Sequence, residues 1–297
     1  MKEIAIIGPT ASGKSALALQ LAENFHANIL SIDSLSIYKE IDIVSAKPNK
    51  EELKRVKHFG IDILYPNEHF SVARFIDIYK EAKEESLKEK KNLILVGGSS
   101  FYLKSLLDGI SPMPHISQEI IYKVQNLIKK RQGYTFLQNI DPITAQKLNS
   151  TDTYRVQKAL EIYFATNTPP SRYFQLHPPK RIASIPIFEI VIQRDLLRQR
   201  IFERTKKMVE AGLINEIAYL EKRYTRQPHP MKAIGIKETL DYLDGKIRSI
   251  QELIEKISIH TAQLAKRQIT FNKTQFKQKT SLLPSELKEE VAKELAD

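Results

Sequence analysis

Cysteine is absent from the 297 residues, which removes disulfides, thiol nucleophiles and Cys-based zinc sites together. Tryptophan is absent too, so any base stacking falls to Tyr, Phe, His or Arg. No run of about 18 apolar residues occurs, which weakens any membrane-spanning reading. The first apolar stretch, Ile4–Ile7, leads into a glycine loop instead of a cleavage site, and the cytoplasm is the expected compartment. His26, His58, His69 and His115 show no metal-ligand spacing and receive no role.

What is present is basic. Lys plus Arg number 46 against 35 Asp plus Glu, a formal surplus of 11 positive charges with a pI near 9.5. That field favours a polyanionic partner, either nucleic acid or an anionic surface, with an ordinary basic enzyme as the alternative. Hydrophobic residues at 42% match globular usage, so a folded chain able to bury at least one good core is expected.

Ile4–Ile7 reads as a buried strand closed by Gly8, followed by a helix over Ser15–Phe25 with Leu17, Leu21 and Phe25 at helical spacing. Further strands are predicted at Asn28–Ile32, Ile61–Leu64 and Leu93–Val96, with a helix over Val72–Glu89. Alternating strands and helices predict an α/β fold: a parallel sheet covered on both faces, with ligands beyond the carboxyl ends of its strands. Gly8–Ser15, Asp33 and Gly97–Ser100 fall there. After Pro112-Met113-Pro114 the texture turns helical, over Gln118–Arg131, Pro142–Leu148 and Thr153–Ala165, until Pro169-Pro170 and Pro178-Pro179 close it. A strand at Ile185–Ile192 and helices over Leu196–Ala211, Asn215–Arg223, Lys232–Leu243 and Ile250–Phe271 return the chain to the first sheet. The expected organisation is a core of residues 1–114 and 185–280, an all-helical insertion over 115–184, and a loosely held helical tail over 281–297.

Gly8-Pro9-Thr10-Ala11-Ser12-Gly13-Lys14-Ser15 fits G-x-x-x-x-G-K-[ST], after a strand and before a helix. Loop N–H groups and the helix N-terminus stabilise phosphate oxygens, the Lys14 ammonium neutralises charge, and the Ser15 hydroxyl reaches Mg²⁺. A tight turn that needs its glycines is the bland alternative, and Lys14 argues against it. The loop identifies a diphosphate, not a reaction, and most such loops serve phosphoryl transfer. Leu93–Val96, the natural strand to end in a magnesium-binding Asp, ends in Gly97-Gly98-Ser99-Ser100 instead. Asp33 could still take that metal role.

The ordered set Gly8–Ser15, Ser31-Ile32-Asp33-Ser34 with Ile37-Tyr38, Ala46-Lys47-Pro48, Val96-Gly97-Gly98-Ser99 with Tyr102, Arg155 with Ala159-Leu160-Glu161, Gly235, and Gln263–Phe271 closely resembles the tRNA dimethylallyltransferases, or adenosine N6-isopentenyltransferases. The chain departs from their pattern at Val44-Ser45 (usually Gly-Thr), Ser99 (usually Thr) and Phe271 (usually Trp). The resemblance implies a P-loop NTPase-like sheet with an inserted helical domain. It also implies transfer of the dimethylallyl group from its diphosphate, with Mg²⁺, to N6 of the adenosine just 3′ of a tRNA anticodon (position 37). A monomer is the expectation.

On that resemblance Gly8, Pro9, Thr10, Ala11, Ser12, Gly13, Lys14 and Ser15 hold the diphosphate, with Arg204 upon it; a helix-surface Arg204 is the alternative. Asp33 accepts the proton that the adenine amine sheds, competing with roles as a metal or water ligand or a cap. Ser99 holds the adenine or reacting groups, or is an N-cap. The adenine must leave its stack to enter such a site. Asp33, Ser34, Leu35 and Ser36, then Tyr154, Arg155, Val156, Gln157 and Lys158, then Lys232, Ala233, Ile234, Gly235, Ile236 and Lys237 are implied to line the RNA; ordinary solvated helix faces are the alternative. Independently, His260–Lys279 carries five cations, no acid, and Phe271 and Phe276 between them, which favours Lys266 and Arg267 as phosphate contacts over a merely solvated helix face. Three rivals remain: a small-molecule kinase or ATPase, isopentenyl transfer to free adenine nucleotides, and a non-catalytic RNA-binding module.

Overall fold

The computed structural model describes residues 1–296 and divides into two compact units, Met1–Ser105 with Ser184–Asp297, and Leu106–Ala183. In the first unit six strands form one all-parallel sheet in the order β3-β2-β4-β1-β5-β6: β1 Glu3–Ile7, β2 Ala27–Ser31, β3 His58–Phe59, β4 Asn92–Gly97, β5 Ile187–Ile190 and β6 Thr280–Leu282. The central strands are mostly apolar because both faces are covered, as parallel sheets require, with Asn28 and Glu189 as buried polar exceptions. Ile4, Ile6, Ile29, Ile94, Val96 and Ile190 share one cluster with Leu17, Ala18 and Leu21 of α1, Lys14–Asn24. Helix α2, Lys50–Arg55, is short; α3, Val72–Lys88, buries Phe75, Ile76, Ile78 and Tyr79, and α4 is Ser100–Asp108.

The second unit holds α5 Gln118–Lys129, α6 Gly133–Ile140, α7 Pro142–Gln146, α8 Thr153–Thr166 and α9 Pro170–Leu176. Val124, Leu137, Ala145, Val156, Ala159 and Leu160 form its core. Helices α6 and α9 are not anticipated by the sequence pattern. The Pro169-Pro170 pair suggests a break, yet Pro170 opens α9, where a missing N–H costs nothing. The unit begins at Leu106 instead of residue 115 because Ile182 and Ala183 donate their N–H groups to the Leu106 carbonyl, and Arg181 Nε donates to that of Leu107.

The first unit then continues with α10 Arg194–Glu210, α11 Leu213–Tyr224, a 3₁₀ turn over His229–Lys232, α12 Ile236–Leu243, α13 Ile250–Gln275 and α14 Pro284–Ala296. Helix α10 lies on α13 through Leu197, Ile201 and Ala265. Ser249 caps α13, its Oγ accepting the Glu252 N–H at 3.1 Å.

Three expectations are corrected. The strand over Ile61–Leu64 does not form; the chain pairs with β2 earlier, at His58–Phe59, then turns at Gly60 and Asp62 (φ 77° and 54°), and Leu64 keeps only an isolated bridge to Tyr38. The helix over Lys232–Leu243 is broken at Gly235. The loosely held tail is instead anchored: β6 extends the sheet beside β5, and Leu287, Val291 and Leu295 of α14 are buried in the main core with α1. Leu287→Ala is therefore expected to cost about 2–5 kcal/mol in urea unfolding, the range for a buried leucine truncation. A change within experimental error would return the tail to the loose state.

Candidate active site

The chain leaves β1 at Ile7 and enters α1 at Lys14, turning through Ala11 (φ 64°) and Gly13 (φ 94°). The Ser12 N–H closes the turn on the Pro9 carbonyl at 3.2 Å. No side chain caps the start of α1, which leaves its first N–H groups for an anion. Ser12 Oγ is buried without a partner among the described residues, a donor that an anion can satisfy.

Lys14 is buried, and its ammonium donates to the Pro9 carbonyl at 3.2 Å. Burial pushes its pKa down to about 8; the Asp33 charge opposes the fall and the Arg204 charge adds to it. Burial also lowers the Arg204 guanidinium, again opposed by Asp33. Arg204 is thus no surface arginine of α10: its Nη1 donates to Thr10 Oγ1 at 2.9 Å. One turn earlier, Arg200 Nη1 donates to the Ser12 carbonyl at 3.2 Å.

Asp33 and Ser99 follow β2 and β4, neighbouring strands of one sheet. Asp33 Oδ1 accepts the N–H groups of Leu35 at 2.8 Å and Ser36 at 3.4 Å, so it builds a local turn and caps no helix. Ser99 Oγ accepts the Ser34 N–H at 3.2 Å and ties the two strand ends together. Gln268 of α13 joins this pair to the phosphate loop: its Oε1 accepts the Thr10 N–H at 2.8 Å and its Nε2 donates to the Gly98 carbonyl at 3.0 Å. A Cβ on Gly98 would stand 2.4 Å from that Nε2, which explains the glycine.

Thr10 of the phosphate loop, Asp33, Ser99, Arg204, Arg267 and Gln268 line one cavity of 680 Å³. Tyr38, Phe70 and Tyr102 also line it; the Tyr102 ring rests on Phe70 at 5.1 Å and Phe75 at 4.9 Å. Burial, with Tyr38 and Asp33, pushes the Tyr102 phenol up to about 12, so it stays a neutral donor. A larger cavity of 930 Å³ shares Arg204 and Met208 but is otherwise lined by Ile43, Lys47, Pro48 and Leu53 and by Gln199 and Lys207 of α10. It lacks Asp33, Ser99 and the phosphate loop, so the smaller cavity is the chemical one.

The predicted RNA contacts are placed unevenly. Ser34, Leu35, Lys232, Ala233, Ile234, Gly235 and Arg267 line the cavity, and Lys237 and Lys266 are exposed. Ser36 and Ile236 are buried and cannot offer their side chains to RNA. In the second unit Tyr154 and Arg155 are exposed, whereas Val156 lies in that unit's core. The ends of Gln157 and Lys158 are held at 2.7 Å each by the buried carboxylate of Glu161. The helical period explains these exceptions: a continuous segment on α8 must turn one residue in three or four inward.

Sequence reasoning assigns no task to Gln268, Arg200, Glu216 or Glu238. Gln268 stands inside the Gln263–Phe271 motif, which is a usable signal. Lys47 of Ala46-Lys47-Pro48 proves structural: its buried ammonium donates to the Tyr38 carbonyl at 2.5 Å, Asp42 at 2.8 Å and Asp62 at 2.5 Å.

The family model described as IPP transferase matches residues 36–275. A tRNA dimethylallyltransferase of Nautilia profundicola is 56% identical over 293 residues, 98% of this chain and 99% of that one. Among solved structures, a tRNA isopentenylpyrophosphate transferase from Bacillus halodurans aligns with a TM-score of 0.72 at 29% identity, covering 99% of this chain and 95% of that one. A eukaryotic dimethylallyltransferase acting on tRNA aligns with a TM-score of 0.83 at 27% identity, over 96% of this chain and 74% of that one.

A buried ammonium without its anion opposes folding, so Lys14→Met is expected to abolish diphosphate binding yet raise the melting temperature of the ligand-free protein by about 2–4 °C. The sign follows from linkage. Between the folded pKa of about 8 and the unfolded value of 10.5 the unfolded chain binds more protons, so wild-type stability rises with pH there. The gap to the variant narrows across that window. Calorimetry showing a variant less stable at pH 7, or a gap independent of pH, overturns the assignment.

Proposed function

We propose that this chain, which belongs to the IPP transferase family, transfers the dimethylallyl group of dimethylallyl diphosphate to N6 of the adenosine 3′ to a tRNA anticodon, position 37. The observation that carries the reading is the convergence of Thr10 of the phosphate loop, Arg204, Asp33 and Ser99 on one cavity, where the strand beside β1 ends in Gly97-Gly98-Ser99 with no carboxylate. That end suits departure of an intact diphosphate better than hydrolysis of a phosphoanhydride, which disfavours the kinase alternative.

The allylic carbon–oxygen bond breaks as the carbon–N6 bond forms, and its electron pair leaves with the diphosphate. Lys14, Arg204 and the loop N–H groups stabilise that charge; such preorganised electrostatics usually contributes more to rate enhancement than any other single effect. The adenine amine is a poor nucleophile until it loses a proton, and Asp33 accepts that proton. The Ser99 hydroxyl holds the reacting groups at the same strand ends. Gly8–Ser15 supplies the diphosphate cradle.

Mg²⁺ fits this donor set. Among the described residues no group of three His, Cys, Asp or Glu can hold a metal, so the ion would be held by the Ser15 hydroxyl, diphosphate oxygens and water, the arrangement magnesium favours. Bound there, it would supply further neutralisation of the leaving diphosphate. Ser34, Leu35, Lys232–Ile234, Tyr154, Arg155, Lys266 and Arg267 contact the anticodon stem-loop, consistent with the formal surplus of 11 positive charges.

The direct test is mass spectrometry of an anticodon stem-loop incubated with the protein, dimethylallyl diphosphate and Mg²⁺. One C5 unit on one adenosine is expected; phosphorus transfer from ATP with the prenyl donor untouched refutes the reading. Asp33→Asn should lower turnover about 10²–10⁴-fold while both substrates still bind. A loss of stability with no specific rate defect assigns Asp33 a structural role. Removing the charges of Lys266 and Arg267 should weaken stem-loop binding and flatten its salt slope by about 0.7–0.9 per charge. An unchanged slope removes both from the interface.

A further inference from the structure

Two carboxylates outside the reacting groups hold the backbone of two loops that line the cavity. Glu216, in the first turn of α11, accepts three consecutive backbone N–H groups: Oε2 takes those of Asp42 at 3.0 Å and Ile43 at 2.7 Å, and Oε1 takes that of Val44 at 3.0 Å. Successive N–H groups aimed at one anion form a nest, a geometry that bends the chain around the charge. Glu238, buried in α12, anchors the second loop through a single backbone N–H. Its Oε2 accepts the Gly235 N–H at 2.7 Å, and its Oε1 contacts His260 Nδ1 of α13 at 2.5 Å. Thr239 Oγ1 closes on the Gly235 carbonyl at 2.6 Å, so both backbone groups of Gly235 are bonded into α12.

The two held loops meet at one contact. Gly235 has φ 91°, and a Cβ built on it would lie 2.5 Å from Val44 Cγ2. The Val44 side chain thus occupies the place that any other residue at 235 would need. Val44 and Ser45 on one loop, and Lys232, Ala233, Ile234 and Gly235 on the other, line the reaction cavity.

We propose that Glu216 and Glu238 are positioning residues for the acceptor adenosine: they fix the Val44–Gly235 seam, and through it the wall against which the nucleoside seats, without touching the reacting atoms. The inference rests on the reading that Lys232–Ile234 face RNA. Neither carboxylate hydrogen-bonds the phosphate loop, Arg204 or Gln268, whose side-chain bonds run to one another, to Arg200 and to Gly98. Disturbing either therefore loosens the acceptor side and leaves the diphosphate side intact.

The test is steady-state kinetics of the full chain with Mg²⁺, varying the anticodon stem-loop and dimethylallyl diphosphate in turn. Glu238→Ala and Glu216→Ala are each expected to raise KM for the stem-loop about tenfold, as loss of a charge-assisted hydrogen bond does, with KM for the diphosphate within about twofold of wild type. Glu238→Gln keeps an oxygen for the Gly235 N–H and should recover most of the loss. Glu216→Gln offers one acceptor oxygen to three N–H groups and should recover less. Should either alanine variant fail to fold, the glutamine variants and Gly235→Ala, which drives a methyl into Val44, decide the matter by the same split. Unchanged stem-loop KM, equal rises in both KM values, or glutamine variants no better than alanine overturn the proposal. Wild-type protein that prenylates no stem-loop at all refutes the proposed reaction itself, a different result from a wild type that works and variants that match it.

Discussion

A buried positive charge governs this site. The Lys14 ammonium is removed from water by the turn that makes the phosphate loop, and among the described residues only the Pro9 carbonyl accepts a hydrogen bond from it. Burial in that position is expensive for a cation, which is why the proton is held so weakly, and Asp33 across the cavity returns part of the loss. Arg204 adds a second cation to the same space. A diphosphate entering it meets two desolvated positive charges, a buried serine hydroxyl and an uncapped helix start. Each of these is worth more than it would be in bulk water.

Such a concentration of charge requires a rigid surround, since free loops would simply carry the cations back to solvent. The rigidity comes from polar side chains that bind backbone. Gln268 clamps the phosphate loop to the end of β4, Ser99 ties β4 to β2, and Lys47 staples Tyr38, Asp42 and Asp62. Glu216 and Glu238 do the same for the two loops across the cavity. Five side chains from separate parts of the chain thus supply the order that a regular element would otherwise provide, and loops held this way can present functional groups with helix-like precision.

Much of this is legible in the sequence wherever the signal is local. The glycine spacing of Gly8–Ser15 and the apolar runs of β1, β2 and β4 lie within a few residues, and they place the sheet and the diphosphate site without tertiary knowledge. What escapes depends on partners far along the chain. The strand His58–Phe59 is only two residues long, and its neighbours Ile61–Leu64 look more strand-like until Gly60 and Asp62 turn the backbone. Leu287, Val291 and Leu295 have helical spacing, but nothing near them announces the groove beside α1 that they fill. Glu216 and Glu238 read as ordinary helix-surface acids, because the N–H groups that Glu216 binds are up to 174 residues away and burial of Glu238 is set by packing against α13.

The departures from the family pattern make sense in the same terms. Ser99 in place of threonine keeps the one atom the structure uses, the Oγ that receives the Ser34 N–H. Phe271 in place of tryptophan still lines the cavity and meets Phe276 edge-on at 6.2 Å. Val44 is the informative case, since a branched side chain stands where the pattern has glycine. Its volume is accommodated by the absent side chain of Gly235, and its N–H is fixed by Glu216. The substitution is therefore not a local loop variation. It belongs to a contact between two loops nearly two hundred residues apart in sequence, where the Val44 side chain fills the space a Cβ at position 235 would take.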